Sequence, residues 1–119
     1  VTESHVVKWL QSLNAETVRP LLLPQDASLP SLVYTTVADR SDLGIDGTNE
    51  SNYFQIQIDI WAETYKQAKT LENQIKSLHG FAGDFYGLEV GMAGISKNLE
   101  EYDDDTKRYR VSLDLSLYF

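Results

Sequence analysis

The stretch NYFQIQIDIWAETYKQAKTLENQIKSL, residues 52–78, changes its hydrophobic period at Trp61. Before that point apolar residues take every second position. Phe54, Ile56, Ile58 and Ile60 point one way and Tyr53, Gln55, Gln57 and Asp59 the other, as in a half-buried strand. After it, Tyr65, Ala68, Leu71, Ile75 and Leu78 form a helical stripe, with Lys66, Lys69, Glu72 and Lys76 outside it. A strand thus runs into an amphipathic helix with no loop between. Gly80, just past His79, stands where a helix C-terminal cap belongs.

The flanking sequence supplies the remaining elements. Residues 3–13 read as a short helix with Val6, Val7, Leu10 and Leu13 on one face, capped by Thr2 or Ser4. TVRPLLLPQDASLP, residues 17–30, carries Pro20, Pro24 and Pro30, and reads as a surface connector because proline lacks the backbone donor. SLVYTTVAD, residues 31–39, is β-branched and aromatic and reads as a strand; RSDLGIDGTNES, residues 40–51, reads as a long loop. In GFAGDFYGLEVGMAG, residues 80–94, a loop ends near Gly87 and a glycine-interrupted strand runs from Leu88 to about Glu101. YDDDTK is a turn, and RYRVSLDLSLYF, residues 108–119, is a final strand. There Tyr109, Val111, Leu113, Leu115, Leu117 and Phe119 face inward, and Arg108, Arg110, Ser112, Asp114 and Ser116 outward.

The order α-β-β-α-β-β predicts an α+β two-layer sandwich: a mainly antiparallel four-stranded sheet with two helices on one face. Residues 1–119 are expected to form one domain, a length that holds a core without staples. The chain has no cysteine, which excludes disulfides, thiolate metal sites and cysteine nucleophiles and suits a reducing cytoplasm. A net charge of -8 and a pI near 4.5 argue against gripping nucleic acid or anionic membranes. No apolar run reaches the roughly 18 residues of a membrane span, and the N-terminal segment has no signal-peptide core.

No catalytic constellation emerges. His5 and His79 lie in or beside different helices without a nucleophile pattern, and read as surface or cap residues. Trp9 and Trp61 read as core or interface anchors rather than a ligand cage. DRSDLGIDGTNE, residues 39–50, resembles a calcium loop in outline, but Leu43 stands where an oxygen ligand is required and strands flank it. The glycines after residue 80 follow a helix rather than open one, so they are no phosphate cradle. No cofactor and no metal are expected. Asp103, Asp104 and Asp105 read as an exposed turn. The non-core sheet face, with Tyr53, Gln55, Gln57, Asp59, Ser112 and Asp114, faces either water or a partner.

The N-terminal amphipathic helix, the proline connector, the strand near LPSLVYTTV, the run FQIQIDIWAETYKQAKTLENQIKSL and the ending EYDDDTKRYRVSLDLSLYF together resemble the tail terminator (tail completion) family of long-tailed bacteriophages. The resemblance spans nearly the whole chain and rests on patterns rather than catalytic residues. It implies a structural virion protein, not an enzyme, with a sheet and two helices on one side. It further implies a homo-hexameric ring that caps the finished tail tube, ends its polymerisation and offers a joining surface to the head connector or stopper protein. The implied partners are other copies of the chain, the tail tube protein and that connector, with genome DNA passing through unbound and no membrane. The implied location is the head-proximal end of the virion tail, after synthesis in the host cytoplasm. On this view the sheet face is a subunit or partner interface, and Asp103–Asp105 face the channel or a partner. Two alternatives stay open: another phage neck or tail part, such as a connector or tube protein, and a small-molecule-binding regulatory domain.

Overall fold

Two residues, Glu63 and Thr64, suffice to turn the strand into the helix. The Thr64 hydroxyl accepts the Gln67 N–H at 3.2 Å, and the Gln67 side-chain oxygen accepts the Glu63 N–H at 3.2 Å. This reciprocal capping satisfies donors that the first helical turn leaves free. The structure, a computed structural model, describes residues 2–13, 15–23, 28–43 and 49–119, with side chains except at 2, 41–43 and 49–51. The centre of the calcium-loop candidate, 44–48, lies outside the described residues.

The described elements run α1 (Thr2–Gln11), β1 (Thr17–Pro20), β2 (Ser31–Leu43), β3 (Asn49–Ala62), α2 (Tyr65–Lys76), β4 (Gly83–Phe85), β5 (Leu88–Val90), β6 (Met92–Asp103) and β7 (Arg108–Tyr118). The main sheet has five strands in the order β1-β2-β3-β7-β6, with β4 and β5 as a separate hairpin. The α+β class with two helices and a mostly antiparallel sheet agrees with the sequence reading, but the four-stranded sheet does not. The fifth strand comes from the proline connector: Thr17–Pro20 pair in parallel with Ser31–Tyr34, and the Thr17 and Ser31 hydroxyls meet at 2.6 Å. A proline is tolerated there because β1 is an edge. The loop expected at 40–51 is shorter, since β2 and β3 stay paired out to Leu43 and Asn49.

The expected strand from Leu88 to Glu101 is two strands broken at Gly91. The Gly91 N–H donates to the Tyr118 carbonyl at 2.7 Å, and a Cβ there would stand 3.2 Å from that oxygen. Backbone approaches this close favour glycine. Three irregularities shift the sheet register, at Val37 in β2, at Glu50 in β3 opposite Asp42 and Leu43, and at Asn98 in β6. Each puts one extra residue into the ladder, so the alternation of faces changes phase.

One core cluster unites Phe54, Ile56, Ile58 and Ile60 of β3 with Val111, Leu113, Leu115 and Leu117 of β7. Val6, Trp9 and Leu10 of α1, and Ala68, Leu71 and Ile75 of α2, complete it, so both helices cover the same sheet face. Two stripe assignments differ. Tyr65 is half-exposed and meets Tyr109 edge-on at 5.9 Å. Glu72, expected outside the stripe, is buried. It is held by Lys76 at 2.8 Å, Lys97 at 3.2 Å and Lys69 at 3.4 Å. Burial pushes its carboxyl pKa up, but hydrogen bonds from Lys76 and Lys97 and their charges outweigh that and lower it. Lys97 and Glu100 reach the helical layer together because the Asn98 bulge brings both to one face; they pair at 2.9 Å. Hydrogen bonds from Lys69 and then Lys97 hold the Glu100 pKa down to about 2.

Candidate interaction surface

The sheet face opposite the helices is open over β3, β7 and β6, whereas on its β2 side Val33 is only 4% exposed and lines a hollow with Leu21, Leu22, Leu23, Asp59 and Trp61. The register aligns Tyr53 with Tyr118, Gln55 with Ser116, Gln57 with Asp114, Asp59 with Ser112 and Trp61 with Arg110. Five rungs therefore carry the residues that alternation directed away from the core. Some of their polar groups bond sideways along the sheet, while the Arg110 Nε is buried without a hydrogen-bond partner among the described residues. The Tyr53 hydroxyl donates to the Gln55 side-chain oxygen at 2.8 Å and lies 3.3 Å from the Ser116 hydroxyl. The Gln57 amide donates to Asp59 at 3.2 Å. Ser112 is on this face, yet only 3% exposed. It is a short side chain between its register partners Asp59 and Leu99, so it is sheltered rather than offered outward.

At one end of the face Arg110 ties three strands together. Its guanidinium reaches Asp59 of β3 at 3.3 Å and Glu101 of β6 at 3.4 Å, and lies 5.5 Å from the Trp61 ring centre. At the other end Arg40 lies over the Tyr53 ring at 4.7 Å, and Tyr53 meets Tyr118 at 5.0 Å. Met92, the β6 partner of Tyr118, and Leu99 are exposed on the same side. The result is a partly hydrogen-bonded polar platform with aromatic and apolar groups along one margin. Such a mixture suits protein contact. Sequence reading found the two central ladders and placed Arg110 outward beside them, but did not count Arg110, Arg40 or Met92 in the site. Their signal was positional: each falls on the outward phase of its strand beside an aromatic.

The acidic turn is not uniform. Asp103 closes β6, and its carboxylate accepts the Asp105 N–H at 3.0 Å, which leads the causes lowering its pKa. Asp104 and Asp105 follow in the exposed turn. Neither histidine belongs to a reactive group: the His5 ring N–H donates to the Tyr86 carbonyl at 2.7 Å, and His79 Nδ1 accepts the Ile95 N–H at 3.0 Å. Among the described residues no three acidic or histidine side chains converge to hold a metal ion, and no helix is long and apolar enough to cross a membrane.

Residues 10–119 match the family of tail completion protein gp17. The chain belongs to that family. It is a structural protein of the phage tail, and its place is the virion. The platform therefore sits on a part built into a particle. Among solved structures the fold resembles a chain of the virion of a native gene transfer agent (GTA) particle. The TM-score is 0.61 and the identity 11%, over 98% of this chain and 92% of that one. No curated protein sequence matches significantly.

Proposed function

We propose that this tail completion protein acts as a homo-hexameric ring that caps the tail tube at its head-proximal end. The ring ends tube polymerisation and presents a joining surface to the head connector or stopper protein. The observation that carries this reading is the open sheet face. Tyr53, Gln55, Gln57, Asp59, Ser112 and Asp114 share one face, part of it hydrogen-bonded within itself, with Tyr118 and Met92 exposed beside them. The part already hydrogen-bonded within itself loses little on docking. Asp104 and Asp105 carry the negative charge of the turn toward the channel or a partner, where passing DNA is repelled rather than held. The alternative of a tube subunit differs in where the chain sits.

The test is imaging of purified tails with a tag on this chain. A single disc at the head-proximal tip is expected, and labelling along the tube would overturn the reading. A paired Met92→Arg, Tyr118→Arg variant should melt within a few degrees of the parent, because both side chains are exposed. It should also yield tails that do not join heads. Normal joining would remove the platform from the mechanism.

A further inference from the structure

A second pair of surfaces lies at the β1 edge of the sheet and beside the helices. Beyond β1 the chain makes a γ-turn: Leu21 has φ 64°, and the Leu22 N–H donates to the Pro20 carbonyl at 2.7 Å. The left-handed region disfavours a leucine, and this turn form is strained. Burial does not offset the strain, since Leu21 is 73% and Leu22 76% exposed. The turn is nevertheless fixed, because the Leu21 N–H donates to the Tyr34 carbonyl at 2.9 Å. Beside it Arg19 is exposed, and its guanidinium has no ion pair or hydrogen bond among the described residues. Leu21, Leu22 and Leu23 line a hollow with Val33, Asp59 and Trp61, yet Leu21 and Leu22 stay largely in solvent, so strain held in place here points to a contact made elsewhere.

The helical side of the sheet carries the complement. The chain after α2 is attached to the outer side of β6: the Gly80 N–H donates to the Ala93 carbonyl at 2.8 Å and the Ala93 N–H to the Phe81 carbonyl at 2.9 Å. On that support Trp9, Leu78, Phe81, Asp84, Phe85 and Tyr86 line an open cleft of about 440 Å³. Its aromatic walls brace one another, with Phe85 at 5.7 Å from Trp9, 6.2 Å from Phe81 and 5.3 Å from Tyr86. On the same hairpin Asp84 and Glu89 are exposed and directly opposed across β4 and β5. Opposed like charges weaken a two-stranded hairpin. Neither has a cation among the described residues.

We propose that the Arg19–Leu22 knuckle of one subunit docks into this cleft on the next. Leu21 and Leu22 fill the aromatic trough, and Arg19 neutralises the Asp84–Glu89 pair. Apolar knob with cation and apolar trough with anions are different surfaces of one chain. The contact is therefore heterologous: repeated by rotation it closes a ring, and it gives no isologous dimer. This proposal rests on the ring reading and assigns the subunit contact to the knuckle and the cleft, which leaves the β6–β7 side of the platform for the tube or the connector.

The cysteine-free sequence permits a direct test. A disulfide closed within one chain would give no ladder, so the readout reports contact between copies. Virions carrying Leu22→Cys with Asp84→Cys should, on mild oxidation, give a covalent ladder of this chain ending in a closed ring, and each single variant should give none. Arg19→Glu should lower infectivity at least about tenfold, the loss of one good contact at each interface. Adding Asp84→Arg to it should restore much of the titre, which a misfolded variant would not show. A head-proximal ring without the disulfide, cross-linked dimers alone, or full titre for Arg19→Glu would overturn this contact while leaving the ring standing. Parental virions without a ring would overturn the reading beneath it, and the contact with it.

Discussion

Replacing Lys97 with methionine keeps most of the side chain's bulk and removes from Glu72 the partner that the sheet provides. Lys69 and Lys76 share a helix with Glu72, so Lys97 is what ties the buried carboxylate to β6. Stripping a partner from a buried ion pair costs about 3–5 kcal/mol. Here two lysines remain, and the three lysine side chains are 29–44% exposed, so solvent screening takes up part of the loss. About 1–2 kcal/mol is a reasonable net for such a screened site. Unfolding entropy near 2.1 cal/mol/K per residue gives about 250 cal/mol/K for this chain, so the melting temperature should fall by about 4–8 °C. The sign with pH follows from the lowered Glu72 pKa. A depressed carboxylate contributes fully above its unfolded pKa, near 4.3, and the contribution is lost as pH falls through the folded value. The deficit of Lys97→Met should therefore be full at neutral pH and shrink in strong acid. Thermal melts by circular dichroism at both pH values measure it. A variant melting within about one degree of the parent at neutral pH, or a deficit unchanged in acid, would refute this account of Glu72.

Leu115 is fully buried, so Leu115→Ala should cost about 2–5 kcal/mol in denaturant titrations, and Leu115→Asp should leave no cooperative transition. Carboxyl titration by NMR should find Glu100 ionised down to about pH 2, and Lys69→Met should move it back toward the ordinary glutamate range. Asp103→Ala should lower the melting temperature while Asp103→Asn largely preserves it, because the turn needs an acceptor for the Asp105 N–H. Asp104→Asn and Asp105→Asn should leave melting unchanged, so any infectivity defect they cause would arise in assembly or DNA passage.

The strands β3 and β7 were legible because each carries an unbroken period of two, and the structure pairs them residue for residue from Tyr53 with Tyr118 to Ala62 with Tyr109. The α2 stripe was legible for the same reason, at the helical period. The strand β1 was not, since four residues ending in Pro20 carry no period and their partner is chosen by tertiary contact. β6 was read with the wrong start because it is an edge with little apolar signal, and its bulge at Asn98 hides the phase. Glu72 was misplaced because its burial depends on Lys97, distant in sequence and brought near by that bulge. The outward residues of β3 and β7 were correctly grouped on one face, but Ser112 shows that a face is not the same as exposure.

The bulges at Val37 and Asn98 bear on how a part of this kind waits before it is used. A strand of unbroken alternation can slip two residues along its neighbour and still present the same side chains to the interior. A strand with a phase break cannot, because slipping moves the break and turns part of the strand inside out. Each hairpin of the main sheet, β2–β3 and β6–β7, is thereby locked to a single alignment. The same kink in β6, set beside the charged Lys97 and Glu100, makes the outermost strand a poor template for another chain's backbone. Copies accumulating in an infected cell are thus guarded against stacking into open-ended fibres, and joining is left to side chains that recognise a specific shape.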